Sequence, residues 1–252
     1  MLIKNEKLII PPWNATLWRY MSFEKFLDII HNQSLHFTNV SLLLDQREAE
    51  IPNRNFDKYL SSIPIGNDKM SNESIEFVKF YGDLLARRKA SFVNCWVLSP
   101  DESYALWKIY LSGNKAGVAI KTRTKNLIDA INAKSKPDGQ PKIHMGKVEY
   151  TDFIKKEVSI ESLITTKSKA YKYENECRLV ILNEPEYDYT TDGREQKLHN
   201  FFKVDVDIDK LINEVYISPF GGAMFYDVFV STLKKLSPSL LSRIRESSII
   251  EK

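Results

Sequence analysis

SFVNCWVLSPDESYALWKIYLSGNKAGVAIKTR, residues 91–123, holds the pattern that decides the fold. SFVNCWVLS (91–99) is an apolar run of strand length and reads as a buried strand. Asp101 or Ser103 then caps a helix through YALWKIYLS, in which Leu106, Trp107, Tyr110 and Leu111 share one face. Gly113 and Gly117 punctuate the return into a second strand, AGVAIK (116–121). The SGNKAG turn enters a strand rather than a helix and lacks the Lys-Ser/Thr pair of a phosphate loop, so it is a turn and not a nucleotide cradle.

Working outward, LWRYMS (17–22) reads as a short aromatic strand, and Ser22 as the N-cap of a helix over SFEKFLDIIHNQ with Phe23, Phe26, Leu27 and Ile30 on its apolar face. LHFT (35–38) is a further strand. Residues 45–70 are polar, hold Pro52 and Pro64, and predict a long loop ahead of a helix that starts at Ser71 or Asn72 and gathers basic residues in its last turn. TKNLIDAINAK (124–134) predicts a helix and SKPDGQP (135–141) a loop. A strand over KVEYTD (147–152), a helix near 159–170 and a strand through CRLVI follow. EPEYDYTTDGREQK (184–197) reads as an exposed excursion. FFKVDVD and EVYISPF add strands, a helix follows Gly221-Gly222, and an element near LLSRI closes the chain. No repeat, composition shift or strand–glycine-loop–helix fingerprint breaks the pattern. The expectation is one α+β domain over 1–252, with mixed or antiparallel sheets flanked by helices.

With 252 residues, 43% hydrophobic and 12% aromatic, the chain can bury a sizeable core. A net charge of +3 is too weak to argue for nucleic acid from composition. The bias is local: nine lysines face five acids between Lys134 and Lys172, which is either a solvated face or a seat for an anion. Cys95 and Cys177 sit in apolar strands and read as reduced core residues of a cytoplasmic protein. His31, His36, His144 and His199 show no metal-ligand spacing and no carboxylate pairing, so no metal is expected. MLIKNEKLIIPPW lacks the apolar core and cleavage pattern of a signal peptide, and no apolar run reaches membrane-spanning length.

Chemistry concentrates in AYKYENECRLVI (170–181). Strand alternation puts Glu174, Glu176 and Arg178 on one face and Cys177, Leu179 and Ile181 on the other. Paired carboxylates suit acid–base work or stabilisation of a developing cation. Equally, Arg178 or a nearby lysine can simply pair with them at a solvated strand end. Arg19, between Trp18 and Tyr20, can hold a phosphate or carboxylate bidentately or stack on its neighbours. Trp107 and Tyr110 are either core or an aromatic wall for a flat ring. No Ser/His/Asp or Cys/His arrangement and no GxSxG elbow is present.

KSKAYKYENECRLVI (167–181) resembles the signature of a bacterial family called domain of unknown function 2971, which runs Lys-Ser, two residues, Trp, then Tyr-Glu-x-Glu-x-Arg. Lys167, Ser168, Tyr173, Glu174, Glu176 and Arg178 match, while Tyr171 and Cys177 stand where tryptophans are common. LWRYMS resembles the family's tyrosine-basic-tyrosine strand. Cys95, Trp107, Tyr110, Lys115 and Gly117 match its Cys-Phe-Ser strand, Trp-x-x-Tyr helix and Lys-x-Gly strand, although Val97 replaces the serine. The resemblance spans about 17–235. Through a distant likeness to ADP-ribosyltransferases it implies an ADP-ribosyltransferase-like fold and an NAD-dependent transferase, of the kind found among toxins and phage-defence effectors. Glu176 would contact the ribose and Glu174 would serve the acceptor. Arg19, Tyr20, Trp107 and Tyr110 would hold NAD. The implied partners are a protein or nucleic-acid acceptor and an antitoxin or defence-system component, with no membrane and no metal. The alternative is a non-catalytic nucleotide- or nucleic-acid-binding module in which Glu174 and Glu176 only pair with Arg178 and lysines.

Overall fold

The computed structural model describes residues 1–43, 72–135, 141–151, 159–190 and 193–249. The loop expected over 45–70, most of that over 135–141, and Asp152 lie outside them. In chain order the elements are β1 (Thr16–Ser22), α1 (Phe23–Asn32), β2 (Ser34–Asn39), α2 (Asn72–Lys89), β3 (Ser91–Leu98), α3 (Tyr104–Leu111), β4 (Gly117–Arg123) and α4 (Thr124–Lys134). There follow β5 (Ile143–Lys147), β6 (Glu149–Tyr150), α5 (Ile160–Ile164), β7 (Thr166–Lys167), a 3-10 turn (Lys169–Glu174), β8 (Glu176–Leu182) and the pair β9 (Tyr187–Thr190) and β10 (Gly193–Gln196). The chain closes through β11 (Phe201–Asp205), α6 (Ile208–Leu211), β12 (Glu214–Ile217), α7 (Gly222–Leu236) and β13 (Ile244–Glu246). Together they form a single α+β domain.

Among the described residues the main sheet has nine strands, antiparallel except for the parallel β12/β13 pair. β3 is its spine. One edge of β3 pairs along its length with β8, from Ser91↔Leu182 to Val97↔Glu176. The other edge is shared: β2 takes Phe92 and Val93, while β1 takes only Val97 and Leu98. β1 and β2 therefore diverge from β3 like the arms of a fork. The β1 arm continues through β4 and β12 to β13, and the β2 arm ends at β11. Asn94 fills the crotch. Its Nδ2 donates to the His36 carbonyl at 2.8 Å, and its Oδ1 accepts from Trp96 Nε1 at 2.7 Å. A side chain thus does there what a ladder bond does elsewhere, since buried backbone groups need partners.

Alternation sets the two faces. Leu17, Met21, Trp96, Cys177, Leu179 and Ile181 enter the principal core against Phe26, Leu127 and Phe229 of α1, α4 and α7. Each such side chain contributes about 1.5–3 kcal/mol by leaving water. The opposite face carries two smaller clusters. Trp18, Tyr20, Val97 and Ala119 pack on α3 through Leu106, Trp107 and Leu111, while Val93 and Val180 pack on α2 and α5 through Leu84, Leu163 and Ile164.

Two local expectations need revision, and a third gains detail. The strand expected over 147–152 breaks in two: β5 stays beside β8, and β6 turns off to pair with β7. The helix expected near 159–170 is only the short α5, whose Ser159 and Ser162 form a reciprocal capping box. The excursion at 184–197 contains a hairpin of its own. Ser103 does cap α3, accepting from Leu106 N–H.

Candidate functional site

The carboxylates of the 170–181 stretch arrive from different structures. Glu174 ends the 3-10 turn rather than lying on the strand, Asn175 adopts a left-handed conformation (φ 40°), and Glu176 begins β8. That sharp reversal still delivers both carboxyls to one lysine. Lys167 Nζ, from β7, donates to Glu174 Oε2 at 2.6 Å and to Glu176 Oε1 at 3.0 Å. Arg178 Nε donates to Glu176 Oε2 at 2.7 Å, and its Nη1 to the Ile164 carbonyl at 2.6 Å. The Glu176 backbone N–H donates to Tyr150 Oη at 2.8 Å. All four charged side chains are buried, Glu176 being 3% exposed. The pairing with Arg178 and a lysine is therefore present, but at a buried strand start instead of a solvated one.

Burial sets the electrostatics. It pushes Glu176 up to about 8, reinforced by a hydrogen bond and the charge of Glu174 and opposed by Lys167. Glu174 is held below the usual carboxyl range: burial works against its charge, but hydrogen bonds from Glu176 and Lys167 outweigh it. Lys167 is raised because the Glu176 and Glu174 charges overcome its own desolvation. Lys167 also lies 4.7 Å from the centre of the Tyr171 ring.

A cavity of about 440 Å³ opens at the fork between β1 and β2. Trp18, Arg19 and Tyr20 of β1 line it, with Cys95 of β3 and Tyr110 of α3, and α1 and β2 close the far side with Asp28 and His36. Arg19 Nη1 is buried there without a hydrogen-bond partner. The guanidinium carbon sits 5.8 Å from the centre of the Trp96 ring. Burial lowers the Arg19 proton affinity, with Cys95 and Tyr110 acting in the opposite direction. Tyr20 stacks on Tyr110 at 6.3 Å and meets Trp107 edge-on at 5.0 Å. Its hydroxyl accepts from the Ser103 N–H at 2.8 Å, which ties β1 to the start of α3.

The sequence-selected residues divide accordingly. Arg19, Tyr20 and Tyr110 line the cavity. Trp107 is wholly buried beneath Tyr20, donating from Nε1 to Glu102 Oε1 at 2.7 Å, and supports the wall from behind. In the β3/β8 ladder Glu176 lies opposite Val97 and Arg178 opposite Cys95, and the charge of Glu176 reaches the Cys95 thiol while those of both glutamates reach the Tyr110 hydroxyl. Burial, with Glu176 next, raises the Cys95 thiol well above its ordinary value.

Two features escaped the sequence reading. Lys167 is the lysine that pairs with both glutamates, and sequence spacing offers a nearby lysine without singling it out. Asp28 and His36 meet across the α1–β2 corner, with Oδ2 and Nε2 2.7 Å apart; alternation on β2 puts His36 on the face of Thr38 and Val93, which would have marked it as cavity-facing.

No protein-family model, curated protein or solved structure matches the chain. Among the described residues no group of three or more His, Cys, Asp or Glu could hold a metal ion, and no helix is long and apolar enough to cross a membrane.

Proposed function

We propose that this protein is an NAD-dependent ADP-ribosyltransferase of ADP-ribosyltransferase-like fold, acting in the cytoplasm on a protein or nucleic-acid acceptor as a toxin or phage-defence effector. The observation that carries the proposal is the unpartnered Arg19 Nη1 buried in the fork beside Tyr20 and Tyr110, with the Glu174–Glu176 pair behind the same wall. A buried guanidinium nitrogen without a partner is costly unless an acceptor completes it. Arg19 takes a phosphate of NAD, and the stacked tyrosines take the nicotinamide. The cavity lies at the low end of ligand-pocket volumes, so it holds the nicotinamide nucleotide half and leaves the adenylate outside. NAD supplies a ribose–nicotinamide bond whose cleavage builds positive charge on the sugar. Glu176, opposite the cavity-lining Val97 in the β3/β8 ladder, stabilises that charge in its ionised form from behind the wall, with Lys167 and Arg178 fixing the group. Incubating the protein with labelled NAD and candidate acceptors tests this directly. Transfer by the wild type and its loss in Glu176→Gln are expected; no label above that of the variant would sink the proposal.

A second function has one specific observation in its favour. Both Glu176 oxygens are engaged by cations and Glu176 does not line the cavity, as a non-catalytic nucleotide-binding module requires. ADP-ribose binding that is lost in Arg19→Gln and indifferent to Glu176→Gln, without turnover, would favour it.

A further inference from the structure

Group transfer needs a base for the acceptor, and Glu174 is poorly suited to be one. Its carboxylate is fixed by Lys167 at 2.6 Å and held below the usual carboxyl range, which weakens it as a proton acceptor. The cavity holds another candidate on its opposite wall. His36 of β2 has Nε2 2.7 Å from Asp28 Oδ2, and its ring stacks on Phe201 at 5.3 Å and 17°. Asp28 is in turn approached by Lys203 Nζ at 3.6 Å, from the residue directly opposite His36 in the β2/β11 ladder. The imidazole is thus held by the close ion-pair contact of Asp28 with Nε2, by an aromatic ring on one face and by Asn94 on the His36 carbonyl. The Asp28 contact is an ion pair and not a hydrogen bond, since buried Nε2 has no hydrogen-bond partner among the described residues, and both side chains keep about a third of their surface exposed and line the cavity. A carboxylate on one ring nitrogen leaves the other to exchange a proton.

Placement gives this pair a role. With the nicotinamide on Tyr110 and Tyr20, a nucleophile approaches the ribose from the side away from it, and Asp28 of α1 and His36 of β2 line the same cavity. Resting on the transferase function proposed above, we infer that His36, oriented by Asp28, is the general base that deprotonates the acceptor, a water or a hydroxyl group. The acceptor oxygen forms its bond to the ribose carbon while the ribose–nicotinamide bond breaks and its electron pair passes to the nicotinamide ring, neutralising the pyridinium. The acceptor proton moves to His36 Nδ1 and then to solvent. The charged groups around the imidazole are Asp28, Glu24 and Lys25 from α1, Lys203 from β11 and Arg19 from β1.

The test measures nicotinamide release from NAD together with ADP-ribose affinity. His36→Ala should lower the release rate by about 100-fold or more, and added imidazole should restore much of it. ADP-ribose affinity should fall far less than release, because the phosphate and nicotinamide contacts are assigned to Arg19 and the tyrosines. Asp28→Asn should lower release by about tenfold and should not respond to imidazole. A His36→Ala rate within about threefold of wild type, or a loss that imidazole does not rescue, overturns the inference. If the truncated variant fails to fold, His36→Gln serves, and full activity in it overturns the inference equally. Failure of the wild type to release nicotinamide overturns the transferase and the base together, whereas an active wild type with an indifferent His36 removes only the base.

Discussion

Arg178 reaches back along its own strand to grip Glu176, Nε to Oε2 at 2.7 Å, and both are almost fully buried. A pair of this kind is weak evidence of net stability when intact, but breaking it strands a buried charge. Arg178→Met is expected to destabilise the protein by about 3–5 kcal/mol in urea unfolding. Combining it with Glu176→Gln should recover part of that loss. Additive effects of the two substitutions would show that the contact is not coupled.

Asn94 holds the fork open. Asn94→Leu keeps the volume and removes both hydrogen bonds, orphaning the His36 carbonyl and Trp96 Nε1. Each orphaned group costs about 1–3 kcal/mol. A thermal melt at the wild-type midpoint would mean that water or a rearranged arm replaces the amide.

Asn175 lets the chain turn between the two glutamates. Its φ of 40° disfavours branched side chains, and its Nδ2 donates to the Leu98 carbonyl. Asn175→Gly should lose only that bond, about 1 kcal/mol. Asn175→Val should lose the bond and add about 1–2 kcal/mol of backbone strain. Equal costs for the two variants in chemical denaturation would show that the left-handed turn matters little.

The strand–helix–strand of 91–121 was legible because apolar runs, Ser103 and the glycines are local signals. The face alternation of 176–181 was legible for the same reason: Cys177, Leu179 and Ile181 do enter the main core, and Arg178 opposes them. The fork was not legible, because it depends on β1 and β2 sharing one edge of β3 from distant parts of the chain. Spacing puts Glu174 on the strand, because no pattern announces a 3-10 turn that ends at Glu174 and is capped by Asn175. Trp107 and Tyr110 share one helical face, yet one is buried and the other meets the cavity, a distinction set by how α3 tilts on Tyr20. Arg19 stood out in sequence, but its unpartnered nitrogen could be found only in three dimensions.

The two glutamates give stability opposite pH slopes. Glu176 has its folded-state value raised to about 8, so its stabilisation is complete below the ordinary carboxyl range and is lost as pH rises through about 8. Glu174 has its value lowered, so its contribution is present at neutral pH and is lost as pH falls below the ordinary carboxyl range. Urea midpoints taken from about pH 4 to pH 9 should decline on the alkaline side in the wild type. Glu176→Gln should flatten that decline and keep the acid limb. An alkaline slope unchanged in the variant would contradict the assignment.

In the proposed transferase, the Arg19 cavity and Glu176 act together on NAD. Nicotinamide release should be measured for folded wild type, Arg19→Gln and Glu176→Gln under one condition. Release by the wild type, with a loss of about 100-fold or more in each variant, is the predicted result. No release by the wild type, or release by both variants at its rate, would contradict the claim.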